Sequence, residues 1–202
     1  MRLRIIDPPL CLVGVPREAH GDVTRVLTSL PRRLGASVVL AAHIALDLQE
    51  LARVCVLPVL EAEERDRFVS SRVYVAPPDY HLLVDGGRAA FSTEPEVKGA
   101  RPSIDVLFES AVERRSAPVV GVLLGGGESD DGAAGLDALH CAGAPTIVTS
   151  GLAAGRTRHE PTHVVPAVGV APLLVELFGG RREGPSRAQS AGGPMAEERP
   201  SK

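Results

Sequence analysis

The chain has 202 residues, 44% of them hydrophobic and 23% charged, with a formal net charge of −3. That length suits one ordinary domain with a sizeable core and is short for two. The composition lies near the globular average, and no run approaches the roughly 18 apolar residues of a spanning helix, so wholesale disorder and membrane insertion are both disfavoured. The arginines are scattered along the chain instead of gathered into one stripe, which leaves no basic field for nucleic acid. Met1 to Arg4 is basic, but Asp7-Pro8-Pro9 cuts the apolar stretch behind it and defeats a signal-peptide reading. Three cysteines, Cys11, Cys55 and Cys141, sit in apolar surroundings with no Cys-x-x-Cys spacing. They read as core thiols of a protein in a reducing cytoplasm.

Leu10 to Val15 is a short continuous apolar run, the pattern of a strand buried on both faces, and Val23, Val26, Leu27 and Leu30 then recur at helical spacing. Ser37 to Ala42 repeats the strand pattern and ends at His43, after which Leu48, Leu51 and Ala52 predict a short amphipathic helix. Val56 to Leu60 and Val73 to Ala76 are further strand candidates. Two apolar triplets, Leu82 to Val84 and Ala89 to Phe91, flank Asp85-Gly86-Gly87-Arg88, which predicts an antiparallel hairpin. Ile104, Leu107, Phe108, Ala111 and Val112 define the clearest helix, with Pro102-Ser103 as its start signal. Val119 to Leu124 is a fully apolar strand followed by Gly125-Gly126-Gly127, and Ala133, Leu136 and Leu139 begin another helical face. Thr146 to Thr149 and His163 to Val165 read as the last strands, and Val170 to Phe178 as a closing helix. From Gly179 onward the apolar periodicity ends and Gly, Pro, Ser, Arg and Glu dominate, which predicts a disordered tail.

Strands alternating with helices predict an α/β, doubly wound, mostly parallel sheet with helices on both faces and an antiparallel hairpin at one edge. The expected organisation is a leader over 1–9, one domain over 10–178 and the tail over 179–202. Ligands of such folds bind beyond the carboxyl ends of the strands. The loops after Val15, at His43 and after Leu124 are therefore the places to look for a site.

Three stretches carry a resemblance: Val73 to Val84 (VYVAPPDYHLLV), Arg101 to Ala111 (RPSIDVLFESA) and Gly121 to Ala144 (GVLLGGGESDDGAAGLDALHCAGA). Together, and in this order, they resemble the catalytic domain of the chemotaxis methylesterase (CheB) family, from about Leu10 to about Leu177. The resemblance implies hydrolysis of a chemoreceptor glutamate methyl ester, or deamidation of a receptor glutamine. A serine after the first strand would attack, a histidine after the second would serve as base, and an aspartate would orient the histidine. His43 and Asp131 fall on the histidine and aspartate positions. The serine position falls on Pro16, and the glycine pair that follows it in the family falls on Glu18 and Ala19.

Proline has no side-chain heteroatom and no backbone N–H, so Pro16 can neither attack a carbonyl nor donate to an oxyanion. Glu18 adds a side chain and a negative charge where a developing oxyanion would suffer from it. The loop Gly125 to Asp130 also departs from the family's pattern, and the segment between Thr149 and Thr162 looks shorter than its counterpart. The expected function is thus a methylesterase-like domain deficient in hydrolysis, acting as a binding or regulatory module. Its expected partner is a methyl-accepting chemoreceptor or another chemosensory protein, with no nucleic acid, no membrane insertion, no cofactor and no metal. The alternative is an active methylesterase or deamidase with a noncanonical nucleophile, for which Ser129 is the nearest candidate; Ser37 opens its strand at the wrong end, and Cys11 lies inside one. Each site residue has a plainer explanation beside it: His43 also reads as the cap of a strand, and Asp131 before Gly-Ala-Ala-Gly reads equally as a helix N-cap. Arg101-Pro102-Ser103 reads as a substrate mouth by resemblance or as a helix start. Asp79 with His81, and His159 with His163, invite a metal reading, but no further ligand completes either pair. The glycine run at Gly125 lacks the Lys-Ser/Thr ending of a P-loop.

Overall fold

The computed structural model describes residues 7–114, 117–125, 130–149 and 157–178. Among the described residues nine strands run in chain order: β1 Leu10–Val15, β2 Ser37–Ala42, β3 Val59–Glu61, β4 Val73–Val75, β5 His81–Asp85, β6 Arg88–Ser92, β7 Val119–Leu123, β8 Thr146–Thr149 and β9 His163–Val165. Five α-helices accompany them: α1 His20–Thr28, α2 Leu48–Val54, α3 Ile104–Arg114, α4 Ala133–Cys141 and α5 Ala167–Phe178. A 3-10 turn, Arg17–Ala19, leads from β1 into α1.

The main sheet has seven strands in the order β3-β4-β2-β1-β7-β8-β9, and each neighbouring pair is parallel. The doubly wound sheet expected from the alternation of strands and helices is the one observed. Side-chain alternation along the central strands divides the interior in two, because successive residues of a strand point to opposite faces. Cys11, Val13 and Val15 of β1, with Val38 and Leu40 of β2, face a core built with α1, α2 and α5, including Leu27, Leu51 and Leu174. Leu10, Leu12, Val39 and Ala41 face the second core, where Ile104, Leu107 and Phe108 of α3 meet Leu136 and Leu139 of α4.

The hairpin β5-β6 is a two-stranded sheet of its own rather than an edge of the main one. Its turn carries positive φ at both central residues, Gly86 (55°) and Gly87 (78°), the geometry that matches strand twist in a two-residue connection. Leu82, Val84 and Ala89 bury into the second core, and Val84 N–H donates to Ser110 Oγ at 3.0 Å. The hairpin thus covers α3 instead of extending the sheet.

Two boundaries lie three residues away from the sequence expectation. β3 begins at Val59, not Val56: Val56 is 43% exposed, and the ladder starts at the Pro58 carbonyl, which accepts from Val73 N–H at 2.9 Å. α5 begins at Ala167 and contains Pro172. The proline removes one N–H and frees the carbonyl of Val168, four residues back. Both residues lie on the exposed face of the helix, where an unpaired carbonyl costs least.

The strand order reverses direction at β1, with β2 on one side and β7 on the other. Outside the carboxyl ends of these three strands lie Pro16, His43 and Gly125. Gly125 has φ +66°, and a Cβ there would fall 2.8 Å from the Ala19 methyl. The loop after β7 therefore rests directly on the 3-10 turn after β1.

Candidate functional site

Val15 and Ala42 are register partners at the ends of β1 and β2, and His43 N–H donates to the Val15 carbonyl at 3.0 Å. Pro16 and His43 consequently leave the sheet side by side. Pro16 is buried, with φ −60° and ψ 162°, values natural to its ring. Its carbonyl accepts from Ala19 N–H at 3.0 Å, which closes the 3-10 turn.

His43 and Asp131 meet across 88 positions of sequence: Nε2 lies 2.7 Å from Oδ2, and the two side chains are 4% and 0% exposed. The same carboxylate accepts from Ser103 Oγ at 2.8 Å, Ile104 N–H at 2.7 Å and Asp105 N–H at 3.1 Å. Asp131 thus does act as a helix cap, but for α3 and not for the helix that follows it. The first N–H groups of a helix have no partner inside it and must find one outside. For α4 the partner is Asp105, whose Oδ1 accepts from Gly132 N–H at 2.9 Å and Gly135 N–H at 2.7 Å. Each helix is therefore started by a carboxylate belonging to the other. Lys98 completes the network, with Nζ 2.7 Å from Asp105 Oδ2 and 3.0 Å from the Asp130 carbonyl.

The two carboxyls titrate in opposite directions. Burial alone would raise that of Asp131, but hydrogen bonds from His43, Ile104, Ser103 and Asp105 outweigh it and hold the group below the usual carboxylate range. Burial raises that of Asp105, and the Asp131 charge adds to this, against the lowering pull of Lys98 and Gly135 N–H. A group with a depressed folded value stabilises the fold above its unfolded value, about 3.9 for Asp, and loses that contribution as pH falls through the folded one. Below about pH 4 the acid-unfolding limb of the Asp131→Asn variant should be shallower than that of the wild type, measured by urea midpoints from pH 2 to 6. Asp105 has the opposite sign, contributing most when protonated and less as pH rises through its folded value.

His43 opens onto a cleft of about 380 Å³ lined also by Arg17, Leu46, Leu48, Val75 and Arg101, with the carboxylates of Glu61, Asp79 and Glu96 among its walls. Arg101 Nη1 donates to the carbonyls of Thr93 (3.2 Å) and Glu94 (3.0 Å), while its buried Nε has no partner among the described residues. The lining thus combines apolar side chains, charges of both signs and one imidazole.

The residues singled out in the sequence divide clearly. His43, Asp131 and Pro16 come together, and Arg101 and Asp79 line the same cleft. Glu18 is exposed and is absent from the cleft wall, where Arg17 stands instead, so the charge expected to oppose an oxyanion is not delivered there. Ser37 is buried at the amino end of β2, the end of the sheet opposite His43. Cys11 is fully buried, and its thiol is pushed far above the ordinary value by desolvation. His81 is 1% exposed and structural: Nδ1 accepts from Ser103 N–H at 3.2 Å and Nε2–H donates to Pro95 O at 3.1 Å. Cys141, read as a core thiol, is exposed, because it ends α4 on the side away from both cores. Ser129 and the tail over 179–202 lie outside the described residues, as does most of the segment between Thr149 and Thr162. Among the described residues no group of three or more His, Cys, Asp and Glu side chains is arranged to hold a metal, and no helix is long and apolar enough to cross a membrane.

Sequence reasoning missed Asp105, Lys98 and Arg17. Asp105 sits in the first turn of α3, where an acidic residue normally serves its own helix. Its fixing of α4 depends on how the two helices pack.

This doubly wound, parallel sheet is the fold of a CheB-type catalytic domain. The crystal structure of the CheB methylesterase catalytic domain of Thermotoga maritima matches it with a TM-score of 0.72 at 22% identity, over 83% of this chain and 97% of that one. The family model for CheB methylesterase matches residues 12–168, and the chain belongs to that family. A candidate protein-glutamate methylesterase/protein-glutamine glutaminase of Leptospira interrogans is 36% identical over 149 residues, which are 71% of this chain and 77% of the relative. A protein-glutamate methylesterase/protein-glutamine glutaminase of Symbiobacterium thermophilum is 36% identical over 144 residues, 68% of this chain but 40% of the relative.

Proposed function

We propose that this is a CheB-type domain, extending over 10–178, that no longer hydrolyses receptor glutamate methyl esters and acts as a binding or regulatory module of a chemosensory system. The observation that carries the reading is Pro16, which occupies the place beside His43 where the family's attacking serine is expected. Ester hydrolysis through an acyl-enzyme needs an oxygen or sulfur atom within hydrogen-bond reach of the base. Among the described residues no hydroxyl or thiol hydrogen-bonds to the His43 ring; its partner is the Asp131 carboxylate. The close approach of the Ala19 methyl to Gly125 supports the same reading, because a side chain stands there where the resemblance places a glycine.

In this reading His43 and Asp131 persist for structure. Their bond ties the end of β2 to the starts of α3 and α4, and the cleft beside it keeps its shape for a partner: a methyl-accepting chemoreceptor, or another chemosensory protein, offering a helix with apolar and charged side chains. The test is methanol release from a methylated receptor fragment. The chain should release no more than a buffer control while still retaining the fragment in a pull-down. Turnover above the control that disappears in His43→Ala would instead establish an active esterase with an unusual nucleophile. Failure to retain the fragment would remove the receptor as the partner.

A further inference from the structure

One wall of the cleft beside His43 comes from a single strap of chain, Pro95 to Ser103, and that strap is held at several points. The buried His81 ring clamps both ends, with Nε2–H donating to the Pro95 carbonyl at 3.1 Å and Nδ1 accepting from Ser103 N–H at 3.2 Å. Between them Val97 and Ala100 exchange backbone hydrogen bonds of 3.2 and 3.0 Å, and Lys98 is pinned to Asp105 at 2.7 Å. Arg101 stands on this strap, half-buried. Its Nη1 is committed to the carbonyls of Thr93 and Glu94, while its Nε and Nη2 make no hydrogen bond among the described residues. Among those residues neither Arg101 nor Arg17 has a carboxylate within ion-pair distance.

A half-buried guanidinium with only neutral partners has given up hydration without gaining a countercharge, and the acceptor it fits best is a planar carboxylate. The rest of the lining restricts what can bring one. Glu61, Asp79 and Glu96 are exposed and outnumber the two arginines of the wall, so a small multiply charged anion such as phosphate is repelled on entry. A carboxylate with cations beside it is not. The volume of about 380 Å³ is at the small end for ligand pockets, room for a side chain and not for a folded element. Leu46, Leu48 and Val75 offer apolar surface to its methylenes. We propose that the cleft selects an acidic side chain of its partner polypeptide, flanked by basic residues, over the neutral amide or methyl ester of that side chain. Arg101 takes the carboxylate, and Glu61, Asp79 and Glu96 take the flanking cations. Resting on the reading of the chain as a non-hydrolysing binding module, this selectivity makes the module responsive to whether the acid of its partner is free or masked. The preference is graded: the ester still binds, more weakly, as retention of a methylated fragment requires.

The probe is a fluorescein-labelled, alanine-based helical peptide with one central glutamate flanked by lysines, made also with glutamine and with the glutamate methyl ester at that place. By fluorescence anisotropy the full chain should bind the glutamate peptide about tenfold more tightly than either neutral version, the gap between a charge-assisted and a neutral hydrogen bond. Arg101→Gln keeps a donor for the Thr93 and Glu94 carbonyls and should close that gap. Equal affinities for the peptides, binding of none of them, or displacement by inorganic phosphate at constant ionic strength overturns the proposal, as does a gap that survives Arg101→Gln. Should that substitution disturb the fold, visible by circular dichroism, the wild-type ratios decide alone. Methanol assayed in the same samples separates the two readings. Its release from the ester peptide overturns the binding-module reading and leaves the glutamate-to-glutamine ratio to judge the selectivity, whereas equal affinities without methanol overturn the selectivity only.

Discussion

Replacing Asp131 with alanine should cost the fold about 3–5 kcal/mol, the range for breaking a buried charged network by removing one member. The substitution strands several groups at once. His43 Nε2, Ser103 Oγ and the N–H groups of Ile104 and Asp105 all donate to this carboxylate, and each buried donor left unsatisfied costs about 1–3 kcal/mol. The figure is less than the sum because the start of α3 relaxes. A urea titration measures the loss as a lower midpoint at unchanged slope. Asp131→Asn, which keeps an acceptor oxygen, should lose roughly half as much, and His43→Ala only about 1 kcal/mol, since it removes one donor and leaves the cap intact. Equal losses from His43→Ala and Asp131→Ala would mean that the carboxylate serves the histidine and not the helix.

The second large effect is on turnover. Against a family member with its serine in place, the chain should fall short by on the order of 10⁴- to 10⁶-fold in methanol release, the scale of losing a nucleophile. Pro16→Ser should recover less than tenfold of this. A hydroxyl placed there stands beside His43, but the Ala19 methyl still rests against Gly125, and a misplaced or absent oxyanion donor alone costs about 10²–10³. Adding Ala19→Gly to Pro16→Ser removes that methyl and should raise the rate further. Robust turnover from Pro16→Ser by itself would show that the crevice is already shaped for the reaction.

The sheet was legible because its strands are buried on both faces. LCLVGV and SVVLAA admit few other readings, and β1, β2, β8 and β9 begin and end where the apolar runs do. Edges and exposed elements were less legible. Val56 and Leu57 look like a strand but precede one, because a proline sets where the ladder starts. The hairpin was readable from its Gly-Gly turn, but which surface it would cover was not, since that depends on α3 offering Ile104, Leu107 and Phe108. Within the site, His43 and Asp131 could be paired only through the family resemblance, as 88 positions separate them. The exchange of caps between α3 and α4 was out of reach: an aspartate ahead of a helix suggests that it serves that helix, and only packing reveals the swap. Glu18 misled for a similar reason, because a 3-10 turn exposes it while sending Arg17 to the cleft.

Under the proposed function, the swap between Asp105 and Asp131 bears on how a chain can keep its histidine-aspartate couple without the chemistry. Two helices that lean on each other's carboxylates cannot give up either one cheaply, whatever becomes of the reaction once run beside them. A histidine-aspartate couple in such a scaffold is then a poor gauge of catalytic competence, for it would outlast the trade it once practised. Under the proposed function, the residue at the tip of the first crossover takes part in neither cap, and it is there that working and retired members should be told apart.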